Sequence, residues 1–130
     1  MKSEIRERVY YKYNGRCAYC GEILPDKWHV DHLEPLRRNK YYNKNTRKWE
    51  TGICLNPEAE REDNYMPSCP SCNINKHSDT LEEFRANIQG YLNSLIIRNV
   101  NYQVARRYGL VRETNNDVVF YFEKHKPIGE

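Results

Sequence analysis

No hydrophobic run in this 130-residue chain approaches the roughly 18 apolar residues that a membrane-spanning helix needs. The opening stretch, Met1-Lys-Ser-Glu-Ile-Arg-Glu-Arg8, has no apolar segment of the kind a signal peptide carries. A soluble, cytoplasmic protein with no membrane partner is therefore the expectation. Apolar residues make up 38% of the chain and charged ones 30%, so the core should be small for the length and a structural metal would be a useful supplement. A net charge of +3 rules out a polycation that binds any anion indiscriminately. There is no internal repeat and no sign of a second domain, and the length suits one.

Disulfides are disfavoured in a reducing compartment, so the five cysteines need another reason. Four of them form two pairs, Cys17-Ala-Tyr-Cys20 and Cys69-Pro-Ser-Cys72. A Cys-x-x-Cys pair lets two sulfurs grip one ion from a tight turn, and two such pairs separated by a long insert make a four-thiolate zinc site. Gly21 should permit the turn that aims backbone amides at the thiolates. Buried thiols or disulfides are the plainer alternatives. Cys54 is left over and reads as a buried free thiol.

Along the chain, residues 4–13 have helical spacing, with Ser3 as the cap and Asn14-Gly15 as the stop. Residues 28–33 alternate as a short strand, with Trp28, Val30 and His32 on one face and His29 and Asp31 on the other. From 36 to 49 there is no acidic residue, and the stretch reads as a mobile, polar, basic loop. Residues 51–55 suit the return strand of a hairpin, and 58–63 an acidic surface loop. Pro70 favours a short helix through His77. Thr80-Leu-Glu-Glu83 is a capping box for a helix that buries Leu81, Phe84, Ile88, Tyr91, Leu92 and Leu95. That helix should run towards Tyr108 with a break near 99–101. Residues 117–123 read as a strand.

A phosphodiester hydrolase needs an activated water and a counter-charge for the phosphate. Histidine suits the first task because its pKa lies near neutrality. A hard divalent cation with oxygen ligands suits the second. Asn73 and His77 are four apart on the expected helix and so share a face, where they can join Asp31 around one ion. Asp31 and His32 are neighbours on a strand, so a bend or bulge is needed if both are to serve one site. Lys76 can meet a phosphate.

The series Cys17-x-x-Cys20, Val30-Asp31-His32-x-x-Pro35, Asn64-x-x-Pro67-x-Cys69-x-x-Cys72-Asn73-x-x-Lys76 resembles the HNH endonuclease family, with its ββα-metal (His-Me) finger. The match covers residues 16 to about 84. The resemblance implies that His32 is the general base, Asp31 and Asn73 are ligands of a catalytic Mg²⁺ or Mn²⁺, and His77 is a further ligand. It also implies that Asn64 orients the base; Asn56 competes for that role but lies at the wrong distance from Cys69. Two features depart from the compact pattern. The third signature position is asparagine rather than histidine, and the stretch between His32 and Asn64 is long because it holds the basic segment.

Arg37, Arg38, Lys40, Lys44, Arg47 and Lys48, interleaved with tyrosines and followed by Trp49, are the expected DNA contacts, together with Lys76. The full expectation is an α+β protein. A zinc-stapled ββα-metal core occupies about 14–84, with an N-terminal helix and a helix-plus-strand extension over about 85–125. Its activity would be metal-dependent hydrolysis of DNA. The alternative is a non-catalytic zinc-dependent nucleic-acid-binding module. Family analogy points to a phage, mobile-element or restriction setting, with a homodimer or a partner protein if both strands are cut.

Overall fold

The computed structural model describes residues 1–130 and is a mixed α+β arrangement of small antiparallel sheets and helices. The first helix, α1 (Ser3–Tyr11), begins after Lys2, with no side-chain cap; Ser3 is the first helical residue rather than the cap. Asn14 (φ 54°) and Gly15 (φ 76°) then turn the chain through the left-handed region and end the helical run as expected. Val9 and, just beyond the helix, Tyr13 enter the core. Arg6 stacks its guanidinium 4.0 Å from the Trp28 ring centre and donates to the Trp28 carbonyl at 2.7 Å.

Strand β1 (His29–His32) pairs antiparallel with β4 (Tyr65–Ser68), in the register Asp31 opposite Met66 and His32 opposite Tyr65. The partner of β1 thus comes from residues 65–68, and 51–55 pairs elsewhere. Pro67 lies opposite Val30, an edge position where its missing N–H costs no ladder bond. The chain leaves β4 straight into α2 (Pro70–Lys76), with Cys69 as N-cap and Pro70 at the first helical position.

Between β1 and β4 the chain makes a separate two-stranded sheet, β2 (Arg38–Asn43) and β3 (Lys48–Cys54). The basic stretch read as a mobile loop is therefore largely strand. Asn43 Oδ1 accepts from the Asn45 backbone at 2.9 Å, and Arg47 takes φ 58°, so the four-residue turn closes with polar chemistry. Two 3-10 turns, Pro57–Ala59 and Glu62–Asn64, lead back to β4.

The capping box at Thr80 and Glu83 opens α3 (Leu81–Arg98), and Asn99 caps α4 (Val100–Arg107) by accepting from the Tyr102 backbone at 2.9 Å. The break falls where the sequence puts it. The apolar stripe of α3 is buried only near its start: Phe84 is buried, whereas Tyr91 and Leu95 are exposed. No helix is long and apolar enough to cross a membrane.

The expected strand at 117–123 is replaced by an extended approach and a short helix, α5 (Tyr121–Lys124). The cause is local. The Tyr121 and Phe122 amides donate to the Tyr19 and Ala18 carbonyls, both at 2.9 Å, which consumes the donors a sheet partner would use. Glu123 accepts from the Phe120 amide at 2.8 Å and starts the helix. Phe120 stacks on Phe84 with ring centres 5.4 Å apart, and Tyr19 sits edge-on to both. The core runs from Val9 to Phe120 through the first cysteine turn and β4, so α1 and the C-terminal segment both build it.

Candidate functional site

Cys17, Cys20, Cys69 and Cys72 converge, with their sulfurs all within 4.8 Å of one another. A tetrahedral ion with Zn–S bonds of about 2.3 Å sets its sulfurs about 3.8 Å apart, and the Cys20 and Cys69 sulfurs are 3.8 Å apart. The donor set therefore fits a metal such as zinc. Each half is shaped by its local sequence. In the first turn the Cys17 amide donates to Glu22 O at 2.8 Å and the Gly21 amide to Cys17 O at 3.0 Å. Gly21 takes φ 78°, and a Cβ there would lie 2.7 Å from the Tyr121 ring. In the second, Cys69 Sγ accepts from the Cys72 amide.

The charges on these thiols oppose one another. Cys17 is pulled down to about 4, first by the hydrogen bond from Cys72 and then by the backbone amides of Cys69, Cys20 and Tyr19. Cys72 is driven upward, first by that same bond and then by burial, and burial pushes Cys20 up to about 11. The Cys17 thiolate forms readily, whereas Cys20 and Cys72 resist. A divalent cation at the centre is what makes the four-thiolate state favourable. Cys54 lies outside the cluster; it is half-buried rather than buried, and its thiol faces Asn56 Oδ1 at 3.6 Å.

The cysteine cluster is wired to Asp31 through both of its halves. Tyr19, between the first two cysteines, donates to Asp31 Oδ2 at 2.5 Å. Lys76, on α2 after the last cysteine, sets its ammonium 3.1 Å from the same oxygen and donates to the His32 carbonyl at 2.9 Å. Burial, then the Asp31 charge, pushes the Tyr19 phenol far up, so it remains a donor. Lys76 is completely buried. This corrects its expected role: an ammonium held inside by a carboxylate and a carbonyl is not a phosphate contact.

His32 faces the other way. Its Nε2 is 3.1 Å from Glu60 Oε1, and its ring stands edge-on to Tyr65, whose hydroxyl also bonds Glu60. Those two bonds, Tyr65 first, hold the Glu60 carboxyl below its ordinary value, and the Tyr65 phenol rises to about 12. The β1 register is regular, so no bulge brings Asp31 and His32 onto one face. Glu60 was hidden in sequence within what read as an acidic surface loop. The available signal was an acid four residues before Asn64, in the segment that must fold back against β1.

Asn64 is buried and clamps the chain beyond β1. Its Oδ1 accepts from the Glu34 amide at 2.8 Å, and its Nδ2 donates to Glu34 O and Ala59 O at 2.9 and 2.8 Å. It acts on the His32 segment through the backbone rather than on the ring. Asn56 plays a parallel part at the foot of the hairpin, accepting from the Arg37 amide at 2.7 Å and donating to Pro35 O at 3.0 Å. Asn73 is half-buried on α2. His77 is not on the helix: it is the C-cap at φ 50°, exposed, with Nδ1 2.9 Å from Ser78 Oγ. The helical spacing expected to put His77 on the Asn73 face therefore does not hold at His77.

Arg37, Arg38, Lys40, Lys44, Arg47 and Lys48 are all exposed on the β2–β3 hairpin, and none forms an ion pair. No protein-family model matches the chain, and no curated protein or solved structure is significantly similar to it.

Proposed function

We propose that the protein is a metal-dependent DNA endonuclease of the HNH type, with β1, β4 and α2 as its ββα-metal element. The observation that carries this reading is the Lys76 ammonium, which ties α2 at once to Asp31 Oδ2 and to the His32 carbonyl. One residue of the helix thus fixes both members of the Asp-His pair beside the four-cysteine cluster.

The polar groups suit the chemistry. A carboxylate only accepts hydrogen bonds, so Glu60 requires the hydrogen on His32 Nε2 and leaves the lone pair on Nδ1. His32 then takes a proton from water at Nδ1, and Glu60 stabilises the imidazolium that results. Asp31 spends Oδ2 on Tyr19 and Lys76; its Oδ1, with the Asn73 amide oxygen, is the hard donor set for Mg²⁺ or Mn²⁺. When bound, that ion supplies charge neutralisation at the phosphate and at the departing 3′ oxygen. The hairpin cations supply phosphate contacts.

Two observations favour the second reading, a nucleic-acid-binding module without cleavage. Lys76 already neutralises Asp31, and the regular β1 register turns Asp31 and His32 to opposite faces. A supercoiled-plasmid assay separates the two. The zinc-loaded protein should relax or linearise plasmid only when Mg²⁺ or Mn²⁺ is added, and His32→Ala should lose at least about a hundredfold of that activity, the lower end of what a positioned base contributes. Plasmid that stays intact while still being retarded on a gel would establish the binding module instead.

A further inference from the structure

The two faces of the β2–β3 hairpin differ in chemistry. On one, Glu50 accepts from Tyr41 Oη at 3.0 Å, Asn43 Nδ2 at 3.1 Å and Thr46 Oγ1 at 3.0 Å. Asn39 lies over Gly52 so closely that a Cβ there would meet its Oδ1 at 2.0 Å. That face satisfies itself. Alternation along β2 places Arg38, Lys40 and Tyr42 on the other, and the pairing of Tyr42 with Trp49 and Lys40 with Thr51 adds Trp49 and Thr51; the register shifts between Lys40 and Arg38, which pairs with Cys54. It carries two unpaired cations and no acid. Its aromatic pair is open to water: Trp49 is 70% and Tyr42 48% exposed, with ring centres 5.7 Å apart. Arg38, at the foot of this face, adds its charge to the Tyr65 and His32 bonds that lower the Glu60 carboxyl.

Resting on the nucleic-acid reading above, we propose that this face carries the substrate strand and that Trp49 stacks on an unpaired base. The preferred substrate is then a single strand or an opened segment rather than intact duplex. Charge complementarity supports the occupant: Arg38 and Lys40 suit phosphates on either side of a flat apolar surface. A base in a closed duplex is already stacked and offers Trp49 no face. An unpaired base offers one, and such stacking is tolerant of sequence because every base has a π-face.

The chain has its own probe. Of its two tryptophans, Trp28 is 9% exposed and Trp49 70%, so a quenchable emission reports Trp49. The test uses full-length zinc-loaded His32→Ala protein without Mg²⁺ or Mn²⁺, titrated with a single-stranded 12-mer and with the matching duplex. The single strand should bind about tenfold more tightly and quench the exposed emission. Trp49→Ala should weaken the single strand about tenfold and the duplex little, and Lys40→Glu should weaken both about tenfold. Lys48→Glu, the same charge change on the opposite face, should cost only about twofold. Equal binding of both forms, equal effects of Lys40→Glu and Lys48→Glu, unchanged Trp49 emission on binding, or binding of neither form overturns the proposal. Far-UV circular dichroism melts of the variants separate lost binding from lost folding. Cleavage by the unsubstituted protein is scored separately. Quenching without cleavage removes the nuclease reading and keeps the face, whereas cleavage without quenching does the reverse.

Discussion

Replacing Lys76 with methionine tests the buried centre of the molecule. The substitution keeps the length and most of the volume of the stem, and it removes the charge that faces Asp31 Oδ2 at 3.1 Å. Asp31 is 7% exposed and Lys76 0%, so water cannot replace the lost partner. Breaking a buried pair from one side costs about 3–5 kcal/mol, because an uncompensated charge stays behind. For a domain of this length each kcal/mol moves the melting temperature by about 4 °C, so Lys76→Met should melt about 12–20 °C lower. That is a large share of the roughly 5–15 kcal/mol that holds a domain together. Asp31→Asn/Lys76→Met should recover much of the loss, since the neutral amide can still accept from Tyr19. Urea denaturation at saturating zinc, followed by far-UV circular dichroism, gives both numbers. A single variant within about 1 kcal/mol of the parent would refute the reasoning, as would a double variant no more stable than Lys76→Met. The ammonium would then be free to swing out and meet a phosphate.

Three further outcomes follow from the same contacts. Withdrawing the metal with a chelator should remove cooperative unfolding, because the two cysteine turns carry Tyr19 and Lys76 into the core; colorimetric release of one zinc per chain should track the loss. Glu60 has its carboxyl held below the ordinary 4.5 by Tyr65 and then His32, so its stabilising share is present above 4.5 and lost as pH falls through the lower folded value. Glu60→Gln should therefore flatten the stability profile in that acid window, by a small amount because the group is mostly exposed, and a profile identical to the parent's counts against the contact. Gly21→Ala should cost about 2 kcal/mol or more in thermal melts, combining φ 78° with a Cβ 2.7 Å from the Tyr121 ring; no change would mean the C-terminal segment does not pack on the first cysteine turn.

The parts legible in the sequence are those governed by chemistry within a few residues. Each Cys-x-x-Cys pair states its own geometry, Thr80 and Glu83 state a helix start, and Asn14-Gly15 states a stop; each of these stands where it was read. What sequence could not settle depended on partners distant in the chain. Lys76 reads as a phosphate contact until Asp31, 45 positions earlier, is seen to neutralise it inside the fold. Glu60 reads as surface until the 3-10 turns fold it against His32. The basic stretch reads as loop because its residue types are polar, yet its backbone finds a strand partner in 48–54. Residues 117–123 carry strand-forming side chains, but their amides are claimed by Ala18 and Tyr19. Local preference in each case was weaker than a hydrogen bond or ion pair made across the fold, and only tertiary structure brings those partners within reach.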